Sequence, residues 1–235
     1  MSPSQSYDNR GIGKTSRPSG PYTAAQLATD LHSLLTALSI TQFHLLGVSM
    51  GGMIVQAYAL AYPNNIPDNP KMLSLTMACT YAQPTAFCTR MFALWADMAK
   101  TMSVQDVMRD VLLWAFTVPF FREREAEVEE FEKAMMGLDM SLEAYLAQLN
   151  VIQKFDSVAE LKALKDRDEV LGGLEKGRVM VLAGEEDILI PVVLSKDLQS
   201  LVKGSAWKTG KGGHGCMWEF PDDFNKIYLS FLEGR

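Results

Sequence analysis

Phe43-His44-Leu45-Leu46-Gly47-Val48-Ser49-Met50-Gly51-Gly52 is a short apolar run driven into a glycine-rich turn. From Met50 to Tyr62 the pattern becomes helical, and Pro63 helps to end it, because proline lacks an N–H and its ring clashes with the preceding turn. The order is strand, sharp turn, helix. Gly47-Val48-Ser49-Met50-Gly51 satisfies G-x-S-x-G. A strand that bends abruptly into a helix holds its serine in a strained backbone conformation, and flanking glycines remove side chains that would collide. The hydroxyl is pushed out at the helix N-terminus, where the backbone N–H of Met50 and the helix dipole favour a developing oxyanion. The same pattern also serves as a tight-packing turn, so its surroundings decide the reading.

Upstream, Tyr7 to Pro18 is rich in Gly, Asp, Asn, Arg and Ser and reads as a surface loop; Thr23 to Leu38 follows as a helix with Thr23 as N-cap. Downstream, Met72 to Ala78 fits a buried strand after a polar loop from Asn64 to Lys71. Strand character returns at Arg178 to Ala183 and ends in Gly184-Glu185-Glu186-Asp187, which places acidic groups where a parallel strand opens onto a crevice. Pro191 to Val202 reads as a helix, Ala206 to Thr209 as a short strand and Pro221 to Leu232 as a closing helix. Strands alternating with helices imply an α/β fold with a mostly parallel sheet. Between about Thr85 and Leu164 the strands disappear and Met, Leu, Phe and Trp recur at helical spacing among charges, as in an inserted helical subdomain. The expected division is core 1–84, helical insertion 85–164 and core 165–235. The loops Asn64 to Lys71 and Asp166 to Lys176 look like insertions that alter the surface.

A serine alone is a poor nucleophile and needs a base. Of the three histidines, His32 falls within the first helix pattern and His44 within the apolar strand, as packed or surface residues do. His214 sits in the Gly212-Gly213-His214-Gly215 loop, free to act as the base or simply as a turn residue. An imidazole base requires an acceptor for its other ring nitrogen, and Asp187 can supply one. Glu185 and Glu186 beside it leave open a merely solvated acidic loop. The order Ser49, Asp187, His214 is nevertheless that of the elbow-bearing hydrolases, not that of chymotrypsin or subtilisin.

Four stretches carry a resemblance: Tyr7 to Pro18, Gly47 to Met53, Leu182 to Asp187 and Gly212 to Cys216. On them the chain resembles α/β-hydrolase fold serine hydrolases of the esterase, enol-lactonase and aminoacrylate-hydrolase-like type. The resemblance implies an acyl-enzyme mechanism without cofactor or metal, with Ser49 as nucleophile, His214 as base, Asp187 as its orienting acid and Met50 as an oxyanion donor. It also implies a helical cap, here 85–164, whose Met91, Phe92, Trp95, Met98 and Trp114 suggest either an apolar substrate or ordinary core. The expected reaction is cleavage of a carboxylic ester or lactone of a small, largely apolar molecule. Acyl transfer or lactonisation by the same residues, and a catalytically weak binding protein, remain alternatives.

One departure bears on activity. In the family the Tyr-Asp-x-Arg-Gly-x-Gly loop follows the fourth strand, yet here it begins at residue 7, so the earlier strands and the loop giving a second oxyanion N–H are expected to be missing. Losing one such donor costs about a hundredfold to a thousandfold in rate. The expectation is an N-terminally truncated fold with Phe43 to Val48 on an exposed edge, either from an incomplete gene model or in a form that covers the edge by forming a homodimer.

Composition narrows the partners. The 235 residues carry a formal net charge of −6, with a pI near 5.1 and no Lys/Arg cluster, which speaks for a small-molecule substrate and against nucleic acid. No apolar stretch reaches the length of a membrane span. Three scattered cysteines, Cys79, Cys88 and Cys216, lack disulfide or zinc spacing and suit a reducing, cytoplasmic setting.

Overall fold

The computed structural model describes residues 4–234. Among them four strands form one sheet in the order β1 (Gln42–Val48), β2 (Lys71–Ala78), β3 (Val179–Gly184), β4 (Ala206–Gly210), with every neighbouring pair parallel. β3 is buried throughout and β2 nearly so, whereas β1 and β4 on the flanks are largely half-buried. Helices on both faces of a parallel sheet produce this gradient, and it explains why the two central strands read as continuous apolar runs. β1 pairs with β2 on one side and, among the described residues, with no strand on the other, as expected for Phe43 to Val48.

Helix α1 (Ala24–Ala37) starts at Thr23 with a capping box: the Gln26 N–H donates to Thr23 Oγ1 at 3.2 Å, and the Thr23 N–H to Gln26 Oε1 at 2.9 Å. Helix α2 (Met50–Ala61) follows β1 directly. Between β2 and β3 lie α3 (Ala86–Thr101), α4 (Val104–Ala115), α5 (Val118–Glu123), α6 (Glu125–Met136), α7 (Leu142–Lys154) and α8 (Val158–Asp166). Thr85, Ser103 and Ser141 cap α3, α4 and α7 through their side-chain oxygens. After β3 come α9 (Val192–Leu201), then β4, the four-residue α10 (Cys216–Glu219) and α11 (Pro221–Leu232).

On one face of the sheet Leu75, Met77, Val179 and Val181 pack with Val55 of α2, Leu161 of α8 and Leu198 of α9. On the other, Leu46, Val48 and Leu182 meet Phe224 and Ile227 of α11. The inserted helices share a core with the helices that flank the sheet: Phe92, Trp95, Val107, Tyr145 and Val151 form one cluster with Leu27 of α1, Met53 and Ile54 of α2 and Leu194 of α9, and Met50 packs on its margin.

One expectation is corrected. The segment 166–176 does more than alter the surface: Leu171, in a 3₁₀ turn (Leu171–Gly173), is 1% exposed and packs beside Met72. The other loop joins it, since the Asn64 N–H donates to the Gly172 carbonyl at 2.9 Å. The Asn64 side chain in turn pairs with both backbone groups of Met72 at 2.8 Å each. Val170, Leu171 and Leu174, split by two glycines and flanked by charges, make an apolar run too short to show a periodicity, so their burial has no clear local signature.

Candidate active site

Four side chains emerge where neighbouring strands end: Ser49 after β1, Cys79 after β2, Asp187 past β3 and His214 in the loop after β4. Hydrogen bonds lace these ends together. The Ser49 N–H donates to Ala78 O and the Cys79 N–H to Leu182 O, both at 2.8 Å, while the Glu185 and Glu186 N–H groups reach Gly210 O and Gly212 O at 2.9 Å. The ends of the sheet thus fix the relative heights of the turns that carry the candidate residues.

Ser49 has φ +56° and ψ −121°, a left-handed conformation for a residue with a Cβ. Such strain costs about 1–3 kcal/mol and persists only where the surroundings enforce it. The enforcement is visible in the glycines. A Cβ on Gly47 would lie 2.2 Å from the Gly51 carbonyl oxygen, and one on Gly52 would lie 2.5 Å from Thr80 Cγ2. Gly51 differs, because a Cβ there meets nothing within 4 Å. The steric argument from the motif therefore holds at Gly47 and Gly52 but not at Gly51. As the first residue of α2, Met50 presents an N–H outside the helix's own hydrogen bonds.

Asp187 and His214 meet at 2.9 Å between Oδ2 and Nδ1, with 4% and 7% of the two residues exposed. The second carboxylate oxygen, Oδ1, accepts the Ile190 N–H at 2.8 Å, which sets the plane of the group. With Nδ1 donating to Asp187, Nε2 is left as the acceptor nitrogen. The His214 loop folds back over β3: a Cβ on Gly184 would sit 1.9 Å from the Gly213 carbonyl oxygen. Glu185 and Glu186 are exposed, and Glu185 accepts the Thr209 hydroxyl at 3.0 Å. The other histidines lie apart from this pair. His32 stacks on Tyr62 with ring centroids 4.0 Å apart, and His44 pairs with Ser74 Oγ at 2.7 Å.

Cys79 was legible only as a free thiol, yet its Sγ, an Asp187 oxygen and a His214 nitrogen all lie within 4.8 Å of one another. Its φ of +50° turns the chain at the end of β2, and its Sγ lies 3.8 Å from that of Cys216. The hydrogen bond with Cys216, and then burial, push the thiol well above its usual range, reinforced by the nearby Asp187 carboxylate. A neutral thiol therefore backs the Asp187–His214 pair.

Comparison with known proteins accords with this arrangement. A family model described as the alpha/beta hydrolase fold matches residues 6–221. The chain belongs to the α/β-hydrolase fold family. Its relatives include a protein of Caulobacter segnis provisionally named carbamate hydrolase RutD, 25% identical over 235 residues, covering 99% of this chain and 82% of that one. A protein of the same provisional name from Pantoea ananatis is 26% identical over 230 residues, covering 97% and 77%. Among solved structures, a hydrolase from Pseudomonas aeruginosa PA01 superposes with TM-score 0.78 at 26% identity, covering 96% of this chain and 78% of that one. The enol-lactonase of Burkholderia xenovorans LB400 shares the fold with TM-score 0.80 at 21% identity, over 97% and 79%. This α/β-hydrolase has no helix, among its described residues, long and apolar enough to cross a membrane.

The apolar residues singled out in the insertion sort mainly as core. Met91, Phe92 and Trp95 are buried, with the Trp95 indole N–H donating to Asp110 Oδ2 at 2.8 Å, while Met98 and Trp114 are half-buried at the margin of the same cluster.

Proposed function

We propose that this α/β-hydrolase is a serine hydrolase that cleaves a carboxylic ester or lactone of a small, largely apolar substrate through an acyl-enzyme. The buried 2.9 Å hydrogen bond between Asp187 and His214 carries the reading, because it orients an imidazole at the strand ends where the elbow also places the half-buried Ser49. In this scheme His214 Nε2 takes the Ser49 hydroxyl proton as Oγ attacks the carbonyl carbon. Asp187 stabilises the resulting imidazolium, and the Met50 N–H and α2 dipole meet the oxyanion. His214 then protonates the leaving alkoxide, and a water activated by the same imidazole releases the acid. The helices of 85–164 act as a cap, supported by Met50 packing against their apolar cluster. Three free, buried thiols support a reducing compartment, the cytoplasm.

A fluorophosphonate probe tests the reading: the wild-type chain labels and Ser49→Ala does not. A folded wild-type chain that takes no label refutes the hydrolase chemistry and leaves the binding-protein alternative. The names of the relatives favour including a carbamate in the substrate panel, since the same attack on a carbamate carbonyl releases an alkoxide. An ester donor with an alcohol acceptor separates hydrolysis from acyl transfer by its products.

A further inference from the structure

Glu219 closes α10, and nothing in the triad scheme uses it. It is 2% exposed, yet it carries a carboxylate into the protein. Its two oxygens are divided between different parts of the chain. Oε1 accepts the Gly213 N–H at 2.6 Å, immediately before His214. Oε2 accepts the Thr117 N–H at 3.1 Å and the Thr117 hydroxyl at 2.6 Å, 102 residues upstream in the link between α4 and α5. A second tether runs alongside: the Gly215 N–H donates to the Ala115 carbonyl at 2.8 Å. The glycines are needed for this closeness, since a Cβ on Gly213 would lie 2.8 Å from the Ala115 oxygen. His214 is therefore bracketed on both sides by hydrogen bonds that end in the inserted helices.

Burying a charge among uncharged donors is unfavourable compared with a well-packed apolar side chain, so packing alone gives no reason for glutamate here. A carboxylate is acceptor-only on both oxygens, which matches a site where N–H and O–H donors arrive from both sides. Glutamine cannot match it, because its NH₂ must face an N–H on one side or the other.

We propose that Glu219 is a positioning residue that clips the His214 loop to the Ala115–Thr117 link, so that the placement of the imidazole depends on the seating of the inserted helices. The proposal rests on the Ser49–His214–Asp187 reading. Its consequence is that weakening the clip slows the chemical step while leaving probe binding nearly unchanged. A misplacement of about 1 Å can cost about a hundredfold in rate, and loosening one of two tethers should give part of that.

The test measures fluorophosphonate labelling of the full chain over a range of probe concentrations, between about pH 5 and pH 9. Glu219→Gln should lower the maximal labelling rate about tenfold, with the half-saturating probe concentration within about twofold of wild type, and should shift the pH midpoint of labelling. Thr117→Val keeps the shape but removes the hydroxyl donor, and should lower the maximal rate about threefold; it carries the test if Glu219→Gln does not fold. A merely structural Glu219 would lower the melting temperature and leave the rate and pH midpoint per folded molecule unchanged, which overturns the proposal. Wild-type rate and midpoint in Thr117→Val overturn it equally. Ser49→Ala distinguishes the two levels: if it loses the label, a failed clip stands alone as the error, whereas persistent label refutes the Ser49 reading and the clip with it.

Discussion

Substituting Gly47 by alanine should damage the elbow, and substituting Gly51 should not, although both are glycines of the same G-x-S-x-G motif. At Gly47 a Cβ would sit 2.2 Å from the Gly51 carbonyl oxygen, 2.4 Å from its carbon and 2.8 Å from the Gly52 nitrogen. All three are backbone atoms of the first turn of α2, so no side chain can swing aside. Restoring an ordinary contact requires the strand and the helix start to separate by about 1 Å. Overpacking of this kind costs about 1–3 kcal/mol, and a displacement of that size at a reacting group costs about a hundredfold in rate. At Gly51 the Cβ enters open space, and alanine gains up to about 1 kcal/mol of helix propensity over glycine. Gly47→Ala should therefore melt several degrees lower and label with a fluorophosphonate about a hundredfold more slowly, while Gly51→Ala should melt at or above wild type with labelling within about threefold. Labelling of Gly47→Ala at the wild-type rate, or equal damage from both substitutions, refutes the steric account of the elbow.

Leu171→Ala should cost about 2–5 kcal/mol in chemical denaturation, because Leu171 is 1% exposed and packs with Met72; a loss below about 0.5 kcal/mol would mean that the loop is surface after all. Burial, then the nearby Arg178 charge, holds the His44 imidazole below its usual value, so the unfolded chain binds the proton more readily. The stability His44 contributes is thus full above about pH 6.5 and lost as pH falls through its lower folded value; His44→Gln should flatten the pH dependence of stability in that window, and an unchanged slope counts against it. The edge of β1 that no strand among the described residues pairs predicts self-association: light scattering should give about twice 26.1 kDa, and the single-chain mass at all concentrations removes the idea.

The parts of this fold that were legible in the sequence are those whose physics is local. β2 and β3 read as strands because burial on both faces demands uninterrupted apolar residues, and α1 announced its start through Thr23, although the Gln26 half of its capping box came only with the structure. The elbow was legible because strain at one residue requires small residues beside it, although the motif overstated the case at Gly51. Asp187 and His214 could be paired from chain order and from their place at strand ends, with no contact visible in the sequence.

Glu219 and Cys79 escaped that reading for a common reason. Each draws its meaning from partners that only the closed fold supplies: Thr117 lies 102 residues before Glu219, and Cys216 lies 137 residues after Cys79. In sequence Glu219 is a single charge within the apolar stretch from Cys216 to Phe220 before Pro221, and charges are ordinarily solvated. What marks it is the combination of full burial with every carboxylate oxygen bound, and burial of a charge is a property of tertiary packing alone. The same holds for the thiol of Cys79, which ends an apolar strand like any small hydrophobe until β3 and the His214 loop close around it. The residues of the proposed chemistry are thus spaced by strand ends, which periodicity reveals, whereas those proposed to hold it in place are spaced by the packing of the inserted helices on the sheet. Substitutions of the second group should therefore change rates without changing any motif.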